Sequence, residues 1–138
     1  MRFCRSCVII TLTMKSIITQ LTQAGYKCTK PRKEVLDFLE KNHHAISAQD
    51  LHKQISKVDR ASVYRTLNLL EELGIVNIEN FNNEKLYCLS AEPHHHIICK
   101  KCGFSEEVPC TYEHYNFSNF SNVQHQMTLT GVCNKCNK

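Results

Sequence analysis

The chain has no long apolar run. Its N-terminal stretch "CVIITLTM" stays apolar for only about eight residues, against the roughly 18 that a membrane span needs. Arg2 and Arg5 flank Phe3 ahead of it, Lys15 follows, and no small-residue cleavage motif closes it. It therefore does not read as a secretory leader. A tract of one charge is also missing. Seventeen Lys and Arg against thirteen Asp and Glu leave a formal charge of +4. The cations are scattered as Lys27, Lys30, Arg32, Lys33, Arg60 and Arg65. Such mild basicity permits a nucleic-acid partner without demanding one. There is no internal repeat beyond two Cys-x-x-Cys turns. Neither His-Glu-x-x-His nor the deaminase pairing of His-x-Glu with Pro-Cys-x-x-Cys occurs, which argues against the common zinc enzymes.

What the chain does have is sulfur and imidazole: nine cysteines and eight histidines in 138 residues. This length suits one compact domain or two very small ones. The count of cysteines is odd, and four of them form Cys99-x-x-Cys102 and Cys133-x-x-Cys136. Without a leader, this pattern fits a reduced, cytoplasmic, metal-binding protein better than a disulfide framework. Two residues between cysteines let one tight turn present both thiolates to one ion, and two such turns complete a tetrahedral S4 site suited to Zn2+. A closed site of this kind is structural and contributes about 10 kcal/mol to folding.

"HHHIIC" supplies further donors. Alternate residues of a strand face the same way, so His94 and His96 point to one side and His95 to the other. One string thus feeds two sites. Cys88 lies six residues before His94; one thiolate with two imidazoles favours zinc over ferrous iron. Cys28 and Cys110 have no spacing partner, and Cys28 reads as a small packed residue.

The periodicity predicts a helix over 14–24 with Gly25 after it. A second helix follows with Thr29 as N-cap and Pro31 in its first turn. Ser47 caps a third, and a fourth spans "DRASVYRTLNLLEELG". In that fourth helix Val63, Leu67 and Leu70 form the buried stripe. Ser62, Arg65 and Asn68 share another face, with Tyr64 beside them. Two alternating strands then meet at Asn82-Asn83, a turn-prone pair. Helices followed by a hairpin is the order of a winged helix-turn-helix. Beyond it, "HIIC" and "EEVPC" read as short strands, "TYEHYNFSNF" as a polar helix and "HQMTLTG" as a strand. The expected class is α+β. Residues 1–13 form an extension or start-site error, 14–89 a winged-helix DNA-binding domain, 90–93 a hinge, and 94–138 a small α/β dimerisation domain carrying the Cys4 site.

In order, "TKPRKEVLDFLEKN", "ISAQDL", "ASVYRTLNLLEELGIV", "LYC", "HHHIICKKCG" and "HQMTLTGVCNKC" give the chain its family look. Over about residues 15–136 it resembles the ferric uptake regulator family of metal-sensing repressors, and within it the zinc-uptake branch. The resemblance implies a homodimer that binds double-stranded operator DNA. It puts Tyr64 and Arg65 in the major groove, with Arg65 pairing to guanine and Tyr64 packing on a thymine methyl. Lys27 would reach toward the minor groove, and Ser62 belongs to the same DNA-facing set. It further implies a regulatory site at Cys88, His94 and His96, where iron regulators tend to carry a glutamate in place of Cys88. The branch's fourth ligand position is held here by Asn77, which leaves water, His43, His44, Glu79 or nothing in that role. A further family site would use Pro93, His95, Glu113 or His114, and His125. Proline cannot ligate, and Glu107 is another oxygen donor. With only 22 residues between Cys102 and His125, the family's dimerisation helix is trimmed. Ala45 stands where iron regulators place a histidine.

The resulting expectation is a cytoplasmic, zinc-responsive repressor with no membrane or small-molecule partner, and not an enzyme. Fe2+ as the regulatory metal, or peroxide sensing, is the alternative within the family. A remote alternative is a small zinc enzyme using three ligands, a water and Glu79 or Glu107 as base. A metal-buffering protein without DNA binding is a third.

Overall fold

The structure is a computed structural model describing residues 13–89, 94–110, 118–120, 125 and 127–138. The expectations for residues 1–12, for the hinge at 90–93, for Glu113 and His114, and for most of the polar helix fall outside these residues. The described residues divide into two compact units, one within Thr11–Ser90 and one within Ala91–Lys138.

The first unit opens with α1 (Met14–Gln23), whose N-cap Thr13 accepts a hydrogen bond from the Ser16 N–H. It ends where Gly25 turns to φ +85°, a conformation that costs a residue without Cβ little. Helix α2 (Lys30–Lys41) starts at Thr29 with Pro31 in its first turn. Strand β1 (Ile46–Ser47) leads into α3 (Ala48–Gln54), and Ser47 caps that helix by accepting from the Asp50 N–H at 3.1 Å. Helix α4 (Arg60–Glu72) is capped by Asp59. The helices bury Ile17, Leu21, Val35, Leu36, Leu39, Leu51, Val63, Leu67 and Leu70 completely. These are the apolar positions of the helical period, so the stripes that the sequence writes become one core.

Strands β2 (Asn77–Phe81) and β3 (Glu84–Cys88) form an antiparallel hairpin. Asn82 and Asn83 have φ of 51° and 61°, the backbone of a two-residue type I′ turn. Strand β1 pairs with the far edge of β3, giving the order β1-β3-β2. Helices against a small antiparallel sheet whose last hairpin is the wing make a winged helix-turn-helix, as the sequence predicts. The third strand is a finding beyond it: two residues are too few to show alternation.

The second unit is built on a three-stranded sheet of order β5-β4-β6. Strand β4 (His94–Cys99) pairs antiparallel with β5 (Ser105–Pro109) through the turn at Lys100–Cys102. It pairs parallel with β6 (Thr128–Gly131), with Cys99 opposite Gly131.

Candidate metal centres

The parallel pairing of β4 with β6 sets the two Cys-x-x-Cys turns side by side, because both follow directly from the ends of paired strands. In the first turn the Gly103 N–H donates to the Cys99 carbonyl at 2.9 Å, and Gly103 takes φ +75°. In the second, the Cys136 N–H donates to the Cys133 carbonyl at 2.9 Å. The Lys100 N–H donates to the Gly131 carbonyl at 2.8 Å and fastens one turn to the other. The sulfurs of Cys99, Cys102, Cys133 and Cys136 all lie within 4.8 Å of one another. Cys102 and Cys133 Sγ stand 3.7 Å apart, close to the ~3.8 Å edge of a tetrahedron whose zinc–sulfur distance is about 2.3 Å. The donor set therefore fits a four-thiolate ion.

The thiols differ in how they hold their protons. The Cys133 N–H, at 3.3 Å, and then the Cys102 N–H donate to Cys99 Sγ and bring its pKa down to about 6. Cys136 is pushed up to about 12, first by its hydrogen bond with the Cys102 side chain and then by that with Cys133. Backbone donors aimed at one sulfur favour a thiolate there before any ion arrives.

His94 and His96 share one face of β4 and are both buried, His96 completely. Their rings meet edge to face, with centroids 4.7 Å apart. In the first unit, Cys88 closes β3 with 2% of its surface exposed, and its Sγ lies 3.5 Å from the His43 carbonyl. Asn77 is its direct partner across the hairpin, and Glu79, only 8% exposed, follows on the same face. Strand alternation thus gathers Cys88, Asn77 and Glu79 on one side of the wing.

His95 points to the other face of β4, as alternation requires. Its Nε2 lies 2.9 Å from Nε2 of His125, and the Cys110 Sγ lies 3.3 Å from that same atom. Two of the sequence expectations change here. Glu107 does not join His95: it pairs with His96 across β4 and β5, and its Oε1 stands 3.9 Å from Nδ1 of His94, on the opposite face. Cys110, which has no spacing partner in the sequence, is the third member of the group. Its signal was the hairpin register. Position 110 follows the Pro109–His94 pair, and two-residue alternation puts it on the face of Val108 and His95.

In the predicted DNA-facing set, Tyr64 and Arg65 are exposed on α4. The Arg60 guanidinium lies 5.5 Å from the Tyr64 ring centroid. Tyr64 is therefore not a core aromatic. Ser62 serves the N-cap: its N–H and hydroxyl donate to Asp59 at 2.9 and 2.6 Å. The Ser62 hydroxyl bond is the main cause that holds the Asp59 carboxyl below its ordinary range. Lys27 is exposed before α2.

A winged helix-turn-helix unit and a sheet unit rich in clustered thiols and imidazoles define the class: a winged-helix protein with metal-binding donors in its second half. The family model described as "Ferric uptake regulator family" matches residues 23–130, and the chain belongs to that family. It is 36% identical over 131 residues to the ferric uptake regulation protein of Legionella pneumophila, covering 85% of this chain and 96% of that protein. It is 41% identical over 93 residues to the Escherichia coli K12 protein of the same name. That match spans only 62% of each chain. Among solved structures, that of the Vibrio cholerae ferric uptake regulator, described as revealing a rearrangement of its DNA-binding domains, superposes with a TM-score of 0.65. It is 27% identical and covers 83% of this chain and 98% of its own. Among the described residues, no helix is long and apolar enough to cross a membrane.

Proposed function

We propose that this protein is a zinc-responsive transcriptional repressor that binds operator DNA as a homodimer in the cytoplasm. Cys99, Cys102, Cys133 and Cys136 hold a structural zinc. Cys88, His94 and His96 hold a regulatory one, with Glu79, on the Cys88 face of the hairpin, as a carboxylate that could serve as fourth donor in place of Asn77. The observation that carries this reading is a pair of buried imidazoles packed edge to face on β4, six residues after a buried thiol. Two nitrogens and one sulfur suit zinc better than ferrous iron or manganese.

An ion bound by donors on both sides of residues 90–93 limits the orientations of the winged helices to those that reach successive major grooves, one turn of about 34 Å or a multiple apart. The ion shifts that population only as far as it prefers the DNA-competent form. Arg65 reads base edges, Tyr64 packs beside it, Lys27 reaches toward the minor groove, and lysines contact phosphates, so affinity falls with added salt. The apolar sheet face of the second unit supports the homodimer. Ile97 and Leu129 pair across β4 and β6 and are 38% and 36% exposed, and Phe104 and Val132 are exposed nearby in the chain. The ferrous-iron reading differs in one respect: carboxylate rather than thiolate at the regulatory site.

The test is DNA binding titrated with Zn2+ and with Fe2+ for the wild type and for Cys88→Ala. Wild type gains operator affinity with zinc at lower concentrations than with iron, and Cys88→Ala remains a folded dimer that no longer responds to zinc. An unchanged zinc response in the variant overturns the regulatory assignment.

A further inference from the structure

We propose that Arg32 is a positioning residue for DNA recognition: it fixes the backbone that carries Lys27 and so aims that lysine at the minor groove. The inference rests on the DNA-binding reading above and deepens it. It is independent of every metal site.

A lysine side chain is a flexible four-carbon stem, so where its ammonium can go depends on how firmly its backbone is held. Lys27 lies in the short connection between α1 and α2 and is exposed. Both ends of that connection are pinned. At the first, the Tyr26 N–H donates to the Leu21 carbonyl at 2.8 Å, just past the left-handed turn at Gly25. At the second, the chain enters α2 at Thr29. Thr13, Ser47 and Asp59 hold the starts of their helices by accepting from backbone N–H groups, whereas the Thr29 side chain makes no such bond. Arg32 reaches back instead. It is the third residue of α2, and helical side chains lean toward the helix N-terminus. Its Nη1 donates to the Lys27 carbonyl at 2.5 Å, the same oxygen that accepts from the Thr29 N–H at 3.1 Å. Its guanidinium carbon also lies 5.7 Å from the Tyr26 ring centroid, within cation–π range. One planar cation thus grips Tyr26 by its ring and Lys27 by its carbonyl. An ammonium has neither the flat face nor the fork for both tasks.

Helix stability does not explain a cation at this place. The start of a helix carries partial positive charge and favours acids. Helix α2 has no acid in its first turn; it has Lys30 and Arg32 there, with Lys33 next. Positive side chains stacked on a positive dipole end gain from a polyanion laid against them. The minor groove is about 6 Å wide; its A·T pairs show acceptors alone, and G·C adds an amino group. A slim ammonium therefore favours A·T. Binding costs the freedom of the groups it orders, and a lysine whose backbone is already fixed has less to lose.

The experiment uses the full-length, zinc-loaded, reduced protein and a fluorescent duplex that the wild type selects from a random-sequence library. A twin duplex carries 2,6-diaminopurine in place of adenine, which adds the minor-groove amino group and leaves the major-groove edge unchanged. Wild type should bind the twin ~10-fold more weakly, and Lys27→Ala should bind both duplexes alike. Arg32→Ala and Arg32→Lys should each lose ~10-fold in affinity and most of the preference for the plain duplex. Arg32→Lys should keep the wild-type salt slope, because its charge is intact. In a Lys27→Ala background, Arg32→Ala should change affinity by less than ~2-fold. In the free protein, the Arg32 methylene protons should sit upfield in NMR spectra, shifted by the Tyr26 ring, and return to ordinary values in Tyr26→Leu. That reading needs neither DNA nor a substitution at Arg32. Full rescue by Arg32→Lys, additive losses for Lys27 and Arg32, equal wild-type affinity for the two duplexes, or unshifted Arg32 protons each overturn the proposal and leave the repressor reading standing. A wild-type protein that selects no duplex overturns the repressor reading itself, and the role of Arg32 with it.

Discussion

Arg65 and Leu67 sit two residues apart on α4 and do opposite work. Leu67 is wholly buried in the core, whereas Arg65 is exposed. Leu67→Ala removes packed methyl groups and leaves a cavity, so it should cost about 3 kcal/mol in urea unfolding of the first unit. Arg65→Ala should leave the unfolding midpoint unchanged and weaken operator binding ~10- to 100-fold, the value of a bidentate contact to guanine. Loss of stability in Arg65→Ala without loss of binding would remove it from the DNA-reading set. Two side chains illustrate how far local pattern reaches. Tyr64 is exposed, as its place beside the buried stripe implies. Ser62 shares that neighbourhood, yet its hydroxyl is engaged by Asp59, because a hydroxyl three residues after an N-cap carboxylate is within its reach.

Among the elements, the helices and the β2–β3 hairpin were legible because each is specified within a dozen residues by period, cap and turn. The Asn82-Asn83 turn is the clearest case, with both residues at positive φ. Glycine tolerates that conformation better than asparagine at the second position of such a turn. Asn83→Gly should therefore raise thermal stability by a few tenths of a kcal/mol to about 1 kcal/mol, read as a higher unfolding midpoint. A lowered midpoint would mean that the Asn83 side chain contributes more than its backbone costs. Strand β1, the parallel pairing of β4 with β6 and the place of Cys110 were not legible in the same way. Each depends on a partner distant in the sequence, and period-2 alternation says which face a residue takes but not what lies across from it. The Cys-x-x-Cys pairs are the exception among non-local features. Their spacing matches metal geometry, so it announces a partner without naming the strand that delivers it.

At the scale of the whole molecule, the two units are held by different means. The first has a continuous core from Ile17 to Leu89. In the second, the buried apolar residues among those described are Ile98 and Cys99, while Ile97, Phe104, Leu129 and Val132 are exposed. So small an apolar interior among the described residues does little to offset the entropy of ordering them, and the proposed four-thiolate zinc would supply the difference. Treatment with a strong zinc chelator under reducing conditions should unfold the second unit while the first keeps its helices. Far-UV circular dichroism should retain most of its helical signal as the thiols of Cys99, Cys102, Cys133 and Cys136 become titratable. Concerted loss of both units at one chelator concentration would show that the winged helix depends on the metal as well.

The parallel pairing of β4 with β6 also bears on the protein's birth. As the chain leaves the ribosome, β4 meets β5 almost at once, but its other neighbour emerges roughly thirty residues later, several seconds at ordinary rates of synthesis. The winged helix is by then complete and able to fold. The Cys99 turn waits through that interval with its sulfurs bare, open to stray oxidants and to whichever soft cation arrives first. Early occupancy by the wrong ion is thus a hazard built into the order of the strands.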